Sequence, residues 1–249
     1  YSTMCGHAII ALTKFVLDSG LVRKDGDTPQ LIIDAPPGQI ISTASRKNGM
    51  VKSVSFKNVP SFVLCQDQQT ELPGLGRIRF DVAFGGAFYV IVDGDEMSLP
   101  LVPSGVNRLI ELGMQIKQSV MEQLDIIHPF EQDLSFLYGT IFTGRPVNTS
   151  RHSRNVCVFA NGEVDRSASG SGVSARAALH HARGELIPGE IMEIESILGT
   201  TMEVEIAELT KFGPHKAVIP RVSGTASFTG RNSFYFDPED PLKEGFIIR

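Results

Sequence analysis

The sequence has few cysteines, no long apolar run and no excess of positive charge, and each absence excludes a class of protein. Its three cysteines, Cys5, Cys65 and Cys157, are far apart and odd in number, which fits neither a disulfide framework nor a zinc site. No apolar run approaches the roughly 18 residues that span a bilayer. The positively charged segment followed by an apolar segment that is typical of a signal peptide is also not found. These absences predict a cytoplasmic protein that is not bound to a membrane.

Charge and cofactor motifs narrow the choice further. The net charge of −5 and the isoelectric point near 5.7 argue against a nucleic-acid partner, which favours a basic face. Neither a glycine-rich dinucleotide fingerprint nor a phosphate-binding loop is present. The 249 residues, 42% of them hydrophobic and 20% charged, suffice for one large core or two smaller ones. We expect a folded protein that acts without a metal or an organic cofactor.

Two segments of the chain repeat one arrangement of residues. Met4-Cys5-Gly6-His7 runs into a helical pattern that ends at Gly20, and Ser169-Gly170 begins a second pattern that ends at Gly184. The offset is the same at both landmarks, since 169 − 5 and 184 − 20 each give 164. A helix N-terminus leaves backbone N–H groups unpaired and favours negative charge, which lowers the pKa of a cysteine placed there. The sequence therefore predicts two equivalent helix tips, one with a thiol and one with a hydroxyl.

The rest of the pattern predicts short strands around a few helices. Helices are expected over 5–19, 104–124 and 171–183, and the strand-like runs between them indicate an α+β protein with antiparallel sheets. Gly85-Gly86 inside a strand pattern indicates a bulge or a close backbone approach. The segment 143–154 is expected to be a solvated surface loop. Its basic residues are Arg145, Arg151, His152 and Arg154.

The paired helix tips suggest a binding site for a carboxylate. Donors aimed at the carboxylate oxygens stabilise the charge that develops when the α-proton of a bound acid is removed. Cys5 is the candidate general base for that step. The backbone N–H groups that favour a carboxylate between the tips are those of Gly6, His7, Gly170, Ser171 and Gly172.

Three motifs resemble those of the proline racemase family. They are Met-Cys-Gly-His at 4–7, Asp-Arg-Ser-Ala-Ser-Gly-Ser-Gly at 165–172 and Val-Ser-Gly-Thr-Ala at 222–226. The resemblance extends to the stretch at 240–246, and Tyr-Gly-Thr-Ile at 138–141 is most similar to the trans-3-hydroxy-L-proline dehydratase branch. It implies a pseudo-symmetric two-domain fold like that of diaminopimelate epimerase. In that fold, antiparallel sheets wrap around a central helix in each domain and the active site lies in the cleft between them.

The resemblance also implies how the chain is divided. Residues 1–75 are expected to be the remnant of a first domain, to which residues 230–249 return, and residues 76–229 are expected to form the second domain. Because the first tip follows directly after Tyr1, we expect the chain to be truncated at its N-terminus. The family further suggests a homodimer.

One residue departs from the racemase pattern and decides the expected reaction. Racemases and epimerases of the family carry a cysteine on each face of the substrate, whereas the second position here is Ser169. A serine hydroxyl is too weak an acid to serve as a base at neutral pH, so two-base racemisation should be impaired. The dehydratases pair the first cysteine with threonine, which serine resembles. The resemblance therefore implies a cofactor-independent hydro-lyase that converts trans-3-hydroxy-L-proline to Δ1-pyrroline-2-carboxylate, with Cys5 as base.

Further roles follow from positions in the motifs. Asp165 matches the family's acid that contacts the ring nitrogen of the imino acid, His7 is placed to assist it, and Phe159 resembles an aromatic pocket wall. Simpler roles stay open: Cys5 and Phe159 as core residues, His7 as a partner of the helix end, Asp165 paired with Arg166, and Ser169 as a helix cap. For the whole chain, the alternatives are a proline racemase or 4-hydroxyproline 2-epimerase, and a non-catalytic fragment that binds proline-like ligands or a partner.

Overall fold

Three α-helices and twelve β-strands form within residues 4–247, the part of the chain that this computed structural model describes. The helices are α1 (Gly6–Asp18), α2 (Val106–Gln123) and α3 (Gly170–Ala182). The strands are β1 (Gln30–Ala35), β2 (Gly38–Lys47), β3 (Met50–Lys57), β4 (Ser61–Leu72), β5 (Gly76–Phe84), β6 (Phe88–Asp93), β7 (Leu137–Gly144), β8 (Ser153–Phe159), β9 (Glu163–Val164), β10 (Ile191–Glu195), β11 (Thr201–Phe212) and β12 (His215–Gly224). The prediction of an α+β protein is confirmed.

Eight of these strands close into a ring. Their order around it is β4, β5, β6, β7, β8, β10, β11 and β12, and Phe62 of β4 pairs with Ala217 of β12 to complete the circuit. Strands β3, β2 and β1 extend the same sheet beyond β12, and β9 pairs with β8. The described strands therefore form one continuous sheet, most of which is rolled into a barrel.

The prediction of antiparallel sheets is wrong for two strand pairs. Strands β6 and β7 run parallel, and so do β8 and β10. A parallel pair needs a long crossover between its strands. Helix α2 lies in the connection from β6 to β7, and α3 lies in the connection from β8 to β10. The sheet is mixed because two of the helices serve as crossovers.

Helix α3 lies inside the ring. All its residues from Gly170 to Leu179 are buried, and most of them are glycine, alanine or serine, which lets the strands pack closely around it. Between β5 and β6, a Cβ added to Gly85 would overlap the Ser171 carbonyl oxygen and the Ala175 nitrogen. The close backbone approach predicted at Gly85-Gly86 is therefore confirmed, and it is an approach to the central helix.

Helix α1 packs against β2, β3 and β12, and its N-terminus contacts that of α3. Its buried face after Gly6 consists of Ile9, Ile10, Thr13 and Leu17. Leu12 and Phe15, which helical spacing would group with Ile9, are 44% and 46% exposed. The Phe15 ring contacts Phe228, from the segment that follows β12, at a centroid distance of 6.0 Å.

The predicted domain boundary between residues 75 and 76 falls in the turn that joins β4 to β5, two neighbouring strands of the ring. Residues 225–247 contain no helix or strand and are mostly exposed. Residues 1–3 and 248–249, which the sequence assigned to the first domain, lie outside the described part of the chain. The division into two domains stays a prediction. Of the helices described, none combines the length and hydropathy needed to cross a membrane.

Candidate active site

Helices α1 and α3 match in length and in the spacing of their ends. Each has 13 residues, and each begins and ends 164 positions from its counterpart, since 170 − 6 and 182 − 18 give the same number. Both are followed by a glycine in the left-handed region, Gly20 with φ +73° and Gly184 with φ +74°. Glycine adopts that conformation without the Cβ clash that other residues suffer, so it stops a helix at this point. The sequence prediction of two matched helices is confirmed.

The N-termini of the two helices meet at a pair of glycines. A Cβ on Gly6 would lie 2.7 Å from the Gly170 Cα, and a Cβ on Gly170 would lie 2.7 Å from the Gly6 Cα. The Gly6 Cβ position is also 2.8 Å from the Phe56 ring. Only glycine lets the two backbones come this close. The contact brings the residue before each glycine, Cys5 on one side and Ser169 on the other, to a common site.

Cys5 precedes α1 with an extended backbone, and its side chain is exposed. Desolvation by the surrounding protein is the largest effect on its pKa and raises it above the ordinary value of 9.0. The backbone amides of Ala8 and His7 act in the opposite direction, and the Asp165 carboxylate adds a further rise. The expectation that the helix tip lowers the pKa of Cys5 is therefore wrong in its net direction. The thiolate is scarce at neutral pH, and it is a strong base where it forms.

Ser169 is buried, with 4% of its surface exposed, and it has a φ of +65°. This conformation costs conformational free energy in any residue with a Cβ, and it is found most often at functional sites. Its hydroxyl does not cap α3 but donates a hydrogen bond of 2.8 Å to Asp165 Oδ2. The same hydroxyl also interacts with the Cys157 thiol. Helix capping is therefore not the function of this side chain.

Asp165 organises the loop that precedes α3. Its Oδ1 accepts a hydrogen bond of 2.7 Å from the Ser167 backbone amide, and its Oδ2 accepts the bond from Ser169. The Ser167 hydroxyl in turn accepts a hydrogen bond of 3.0 Å from the Ser169 amide. No ion pair joins Asp165 to Arg166 within residues 4–247, and Arg166 is exposed. The carboxylate is half-buried beside the two helix tips and acts on Cys5.

An aromatic stack lies along the second tip. Phe159, half-buried at the end of β8, stacks on Tyr138 with a centroid distance of 5.4 Å and an interplanar angle of 26°. Tyr138 meets the edge of Tyr89 at 5.8 Å, and the Tyr89 hydroxyl hydrogen-bonds the Ser171 hydroxyl at 2.7 Å. Sequence reasoning missed Tyr89, because nothing local distinguishes it from other apolar residues of a buried strand.

The remaining two predicted residues, Gly172 and His7, lie in different surroundings. Gly172 faces the barrel interior, since a Cβ there would lie 2.8 Å from Ile141 and 3.1 Å from the Ser169 Cβ. His7, half-buried in the first turn of α1, lines a cavity of about 280 Å³ together with Arg166 and Ser167. The cavity thus adjoins both tips. Its other walls are residues 198, 200–202, 225–227 and 229.

Cys157 is a second residue that sequence reasoning undervalued. It is buried in β8. Burial raises its pKa, so it remains a thiol, and the Ser169 hydroxyl opposes that rise only in part. Its carbonyl accepts a hydrogen bond of 3.1 Å from the Asp165 amide. Within residues 4–247, no group of three or more His, Cys, Asp or Glu side chains is arranged to hold a metal ion.

Comparison with known proteins assigns the chain to a family. The family model described as proline racemase matches residues 1–247. Over its whole length, this chain is 49% identical to a trans-3-hydroxy-L-proline dehydratase of Colwellia psychrerythraea, and it covers 70% of that protein. It is 37% identical to a proline racemase of Clostridioides difficile, of which it covers 74%.

Solved structures give the same assignment. A hydroxyproline epimerase of Agrobacterium vitis with bound trans-4-hydroxy-L-proline superposes with a TM-score of 0.92 and 31% identity, over 99% of this chain and 71% of that one. A methylitaconate-delta-isomerase, at a TM-score of 0.53 and 14% identity, shares the fold alone. With these matches over its full length, the chain belongs to the proline racemase family.

Proposed function

We propose that this protein dehydrates trans-3-hydroxy-L-proline to Δ1-pyrroline-2-carboxylate without a cofactor. The observation that carries the proposal is the contact between Gly6 and Gly170, because the residues that precede these glycines carry a thiol and a hydroxyl at two converging helix tips. A single thiol beside a non-basic hydroxyl suits a reaction that moves protons on one face of the substrate. The 49% identity to a protein named as this dehydratase supports the same reaction.

The helix tips are the proposed carboxylate site. The first N–H groups of each helix have no partner within the helix, and the positive end of each helix dipole points toward the same place. The N–H groups assigned to the carboxylate are those of Gly6, His7, Gly170, Ser171 and Gly172. These donors are fixed before the substrate arrives, so they stabilise the charge that moves onto the carboxylate oxygens as the α-proton leaves.

Cys5 is the proposed base. In trans-3-hydroxy-L-proline, the hydroxyl lies opposite the carboxylate and therefore on the same ring face as the α-hydrogen. The Cys5 thiolate takes the α-proton, and the resulting thiol returns a proton to the departing hydroxyl, which leaves as water. The C–H electron pair forms the carbon–carbon double bond of an enamine, and the enamine tautomerises to Δ1-pyrroline-2-carboxylate. Cys5 is thus a thiolate again at the end of the cycle.

Four further residues are proposed to hold the ring. Asp165 has two oxygens that each accept one bond from its own loop, which leaves lone pairs for the N–H groups of the substrate's ring nitrogen. His7 lines the adjoining cavity and is proposed to assist there. The Phe159–Tyr138 stack is proposed as the apolar wall against the ring carbons.

A second candidate is a 4-hydroxyproline 2-epimerase. The structural likeness to an epimerase with bound trans-4-hydroxy-L-proline favours it. Two-base epimerisation needs a base on each face, and the Ser169 hydroxyl donates its hydrogen bond to a carboxylate, which is too weak a base to deprotonate it. This is why we place dehydration first.

Proton NMR in deuterated buffer tests the proposal. The purified chain is incubated with trans-3-hydroxy-L-proline and, separately, with trans-4-hydroxy-L-proline. We expect pyrroline-2-carboxylate from the first and no epimer from the second. The Cys5→Ala variant should lose turnover, whereas Cys65→Ala, which removes a half-buried thiol from the barrel wall, should retain it. Epimerisation of the second substrate alone would favour the epimerase, and full turnover by Cys5→Ala would rule out the mechanism.

A further inference from the structure

Three side chains form a chain of contacts behind the second face of the site. Cys157, which is buried and protonated, interacts with the Ser169 hydroxyl. The Ser169 hydroxyl donates its proton to Asp165 Oδ2 at 2.8 Å. Asp165 is fixed in turn by the Ser167 amide at 2.7 Å. The direction of the Ser169–Asp165 bond matters, because a hydroxyl has one proton and it is already committed.

This commitment determines what Ser169 can do to a substrate. To protonate a carbanion, the hydroxyl would have to break its bond to Asp165 and become an alkoxide beside a carboxylate. Two adjacent negative charges repel each other strongly where water is scarce, and Ser169 is buried. Because its proton is donated to Asp165, the oxygen can only accept from the Cys157 thiol, and this leaves one lone pair to accept a hydrogen bond from a ligand. Ser169 is therefore an acceptor toward the substrate and not a proton donor.

We propose that Asp165 is a positioning residue that locks Ser169 in this acceptor state, so that all proton exchange occurs on the Cys5 face. The inference rests on the proposed function, because it takes Cys5 as the base. It adds a new activity: a ligand that has the α-hydrogen but no 3-hydroxyl, such as L-proline, exchanges that hydrogen with solvent and keeps its configuration. The thiolate takes the proton, the thiol exchanges it with solvent, and the thiol returns a solvent proton to the same face.

The test is L-proline in deuterated buffer, followed by NMR of the α-position and chiral chromatography. We expect α-deuterated L-proline, with D-proline forming at least 100-fold more slowly than the exchange. D-proline forming at a rate similar to the exchange would overturn the inference. A complete absence of exchange, while trans-3-hydroxy-L-proline is still dehydrated by the same sample, would also overturn it.

Two variants separate positioning from structural support. In Asp165→Asn the amide NH₂ can donate to Ser169, which frees the serine proton and removes the neighbouring charge. We expect the ratio of D-proline formation to exchange to rise at least tenfold in this variant and to fall again in Asp165→Asn/Ser169→Ala. If Asp165 only supports the loop, exchange and inversion fall together and the ratio does not move, which would overturn the inference.

Ser169→Ala alone keeps the test decisive if Asp165→Asn does not fold. An acceptor contributes one hydrogen bond to substrate binding, so this variant should exchange L-proline within about tenfold of the parent rate and with full retention. Loss of exchange by more than 100-fold in folded Ser169→Ala would mean that the hydroxyl handles protons, and it would overturn the inference. The two proposals can fail separately. If the protein does not dehydrate trans-3-hydroxy-L-proline but still exchanges the α-hydrogen of L-proline with retention, the dehydratase proposal is wrong and the exchange proposal stands.

Discussion

Gly6 and Gly170 face each other so closely that neither position can carry a side chain: a Cβ on either would lie 2.7 Å from the Cα of the other. The neighbouring atoms are backbone, which cannot move aside as the end of a flexible side chain can. Backbone contact between the two tips is thus the structural condition for a site shared by Cys5 and Ser169.

Replacing either glycine should damage both the fold and the site. We expect Gly170→Ala to lower the free energy of unfolding by about 1–3 kcal/mol through overpacking and to reduce turnover at least tenfold by separating the tips. Urea denaturation and the NMR assay measure the two effects. Gly230→Ala is the matched control, since nothing lies within 4 Å of its Cβ position. Parental stability and turnover in Gly170→Ala would contradict the observed contact.

The raised pKa of Cys5 predicts an alkaline activity profile. Desolvation holds the thiol in its protonated form, so kcat/KM should rise with pH and continue to rise up to at least the ordinary thiol value of 9.0. Alkylation of Cys5 by iodoacetamide, followed by mass spectrometry, should show the same dependence, because the thiolate is the nucleophile. A plateau in either profile by pH 7 would contradict the prediction. Cys157 is buried and should resist the reagent.

The negative charge of Asp165 contributes to the raised pKa of Cys5. We therefore expect Asp165→Asn to move the Cys5 alkylation profile to lower pH. Ser169→Ala leaves the charge in place and serves as the control, with a profile like that of the parent. An unchanged profile in Asp165→Asn would show that its carboxylate does not act on the thiol.

A half-buried histidine at the other end of α3 predicts loss of stability in acid. His180 lies between Arg176 Nη2, at 3.1 Å from its Nε2, and Glu185 Oε2, at 2.6 Å from its Nδ1. Desolvation is the main cause that lowers the pKa of His180 from 6.5 to about 3, and the positive charges of Arg176 and Arg183, with His152, add to it. Between these values the unfolded chain binds a proton that the folded chain does not. Stability is therefore complete above pH 6.5 and falls as the pH drops below it.

We expect the titration of His180 to lower the free energy of unfolding by about 1.4 kcal/mol for each pH unit between pH 6 and 4. Urea denaturation at several pH values measures it, with His180→Gln as the variant, because an amide can accept from Arg176 and donate to Glu185 without titrating. The variant should be less steeply destabilised by acid than the parent. Equal slopes in both proteins would exclude His180 as a source of acid sensitivity.

The Arg154–Glu195 pair predicts a large cost for removing one charge. Arg154 Nη2 donates to Glu195 Oε2 at 2.9 Å, and both side chains are buried. Glu195→Gln leaves a buried guanidinium without its counter-charge, and we expect a loss of about 3–5 kcal/mol in unfolding free energy. The control is Glu96→Gln, which breaks an exposed pair with Arg79 and should cost no more than about 1 kcal/mol. Similar losses in both variants would contradict this account.

Local features of the chain were predictable, and long-range ones were not. The glycines after α1 and α3 and the shared offset of 164 are visible in the sequence, because helix ends depend on neighbouring residues. The segment 143–154 was predicted to be solvated, yet Arg154 is buried and its partner Glu195 is 41 residues away. No local pattern marks that pairing, nor the closure of the ring between Phe62 and Ala217.

The candidate site shows the same division. The motif around Asp165 and Ser169 was recognisable, but the bond between their side chains depends on the φ of +65° at Ser169, which no sequence pattern encodes. Strand β2 is not apparent from apolar alternation, because Ser42, Thr43 and Ser45 interrupt its apolar residues. Ser42 is nevertheless buried against Thr13 of α1, where the two hydroxyls satisfy each other.

The enclosure of α3 also bears on how the chemistry of such a site can change over time. Ring strands surround the helix, and its small residues hold it in place, so the position of residue 169 is set by the barrel and not by the side chain it carries. We expect an exchange of oxygen for sulfur there, which a single codon change can make, to alter the acidity of one atom while the barrel keeps its fold.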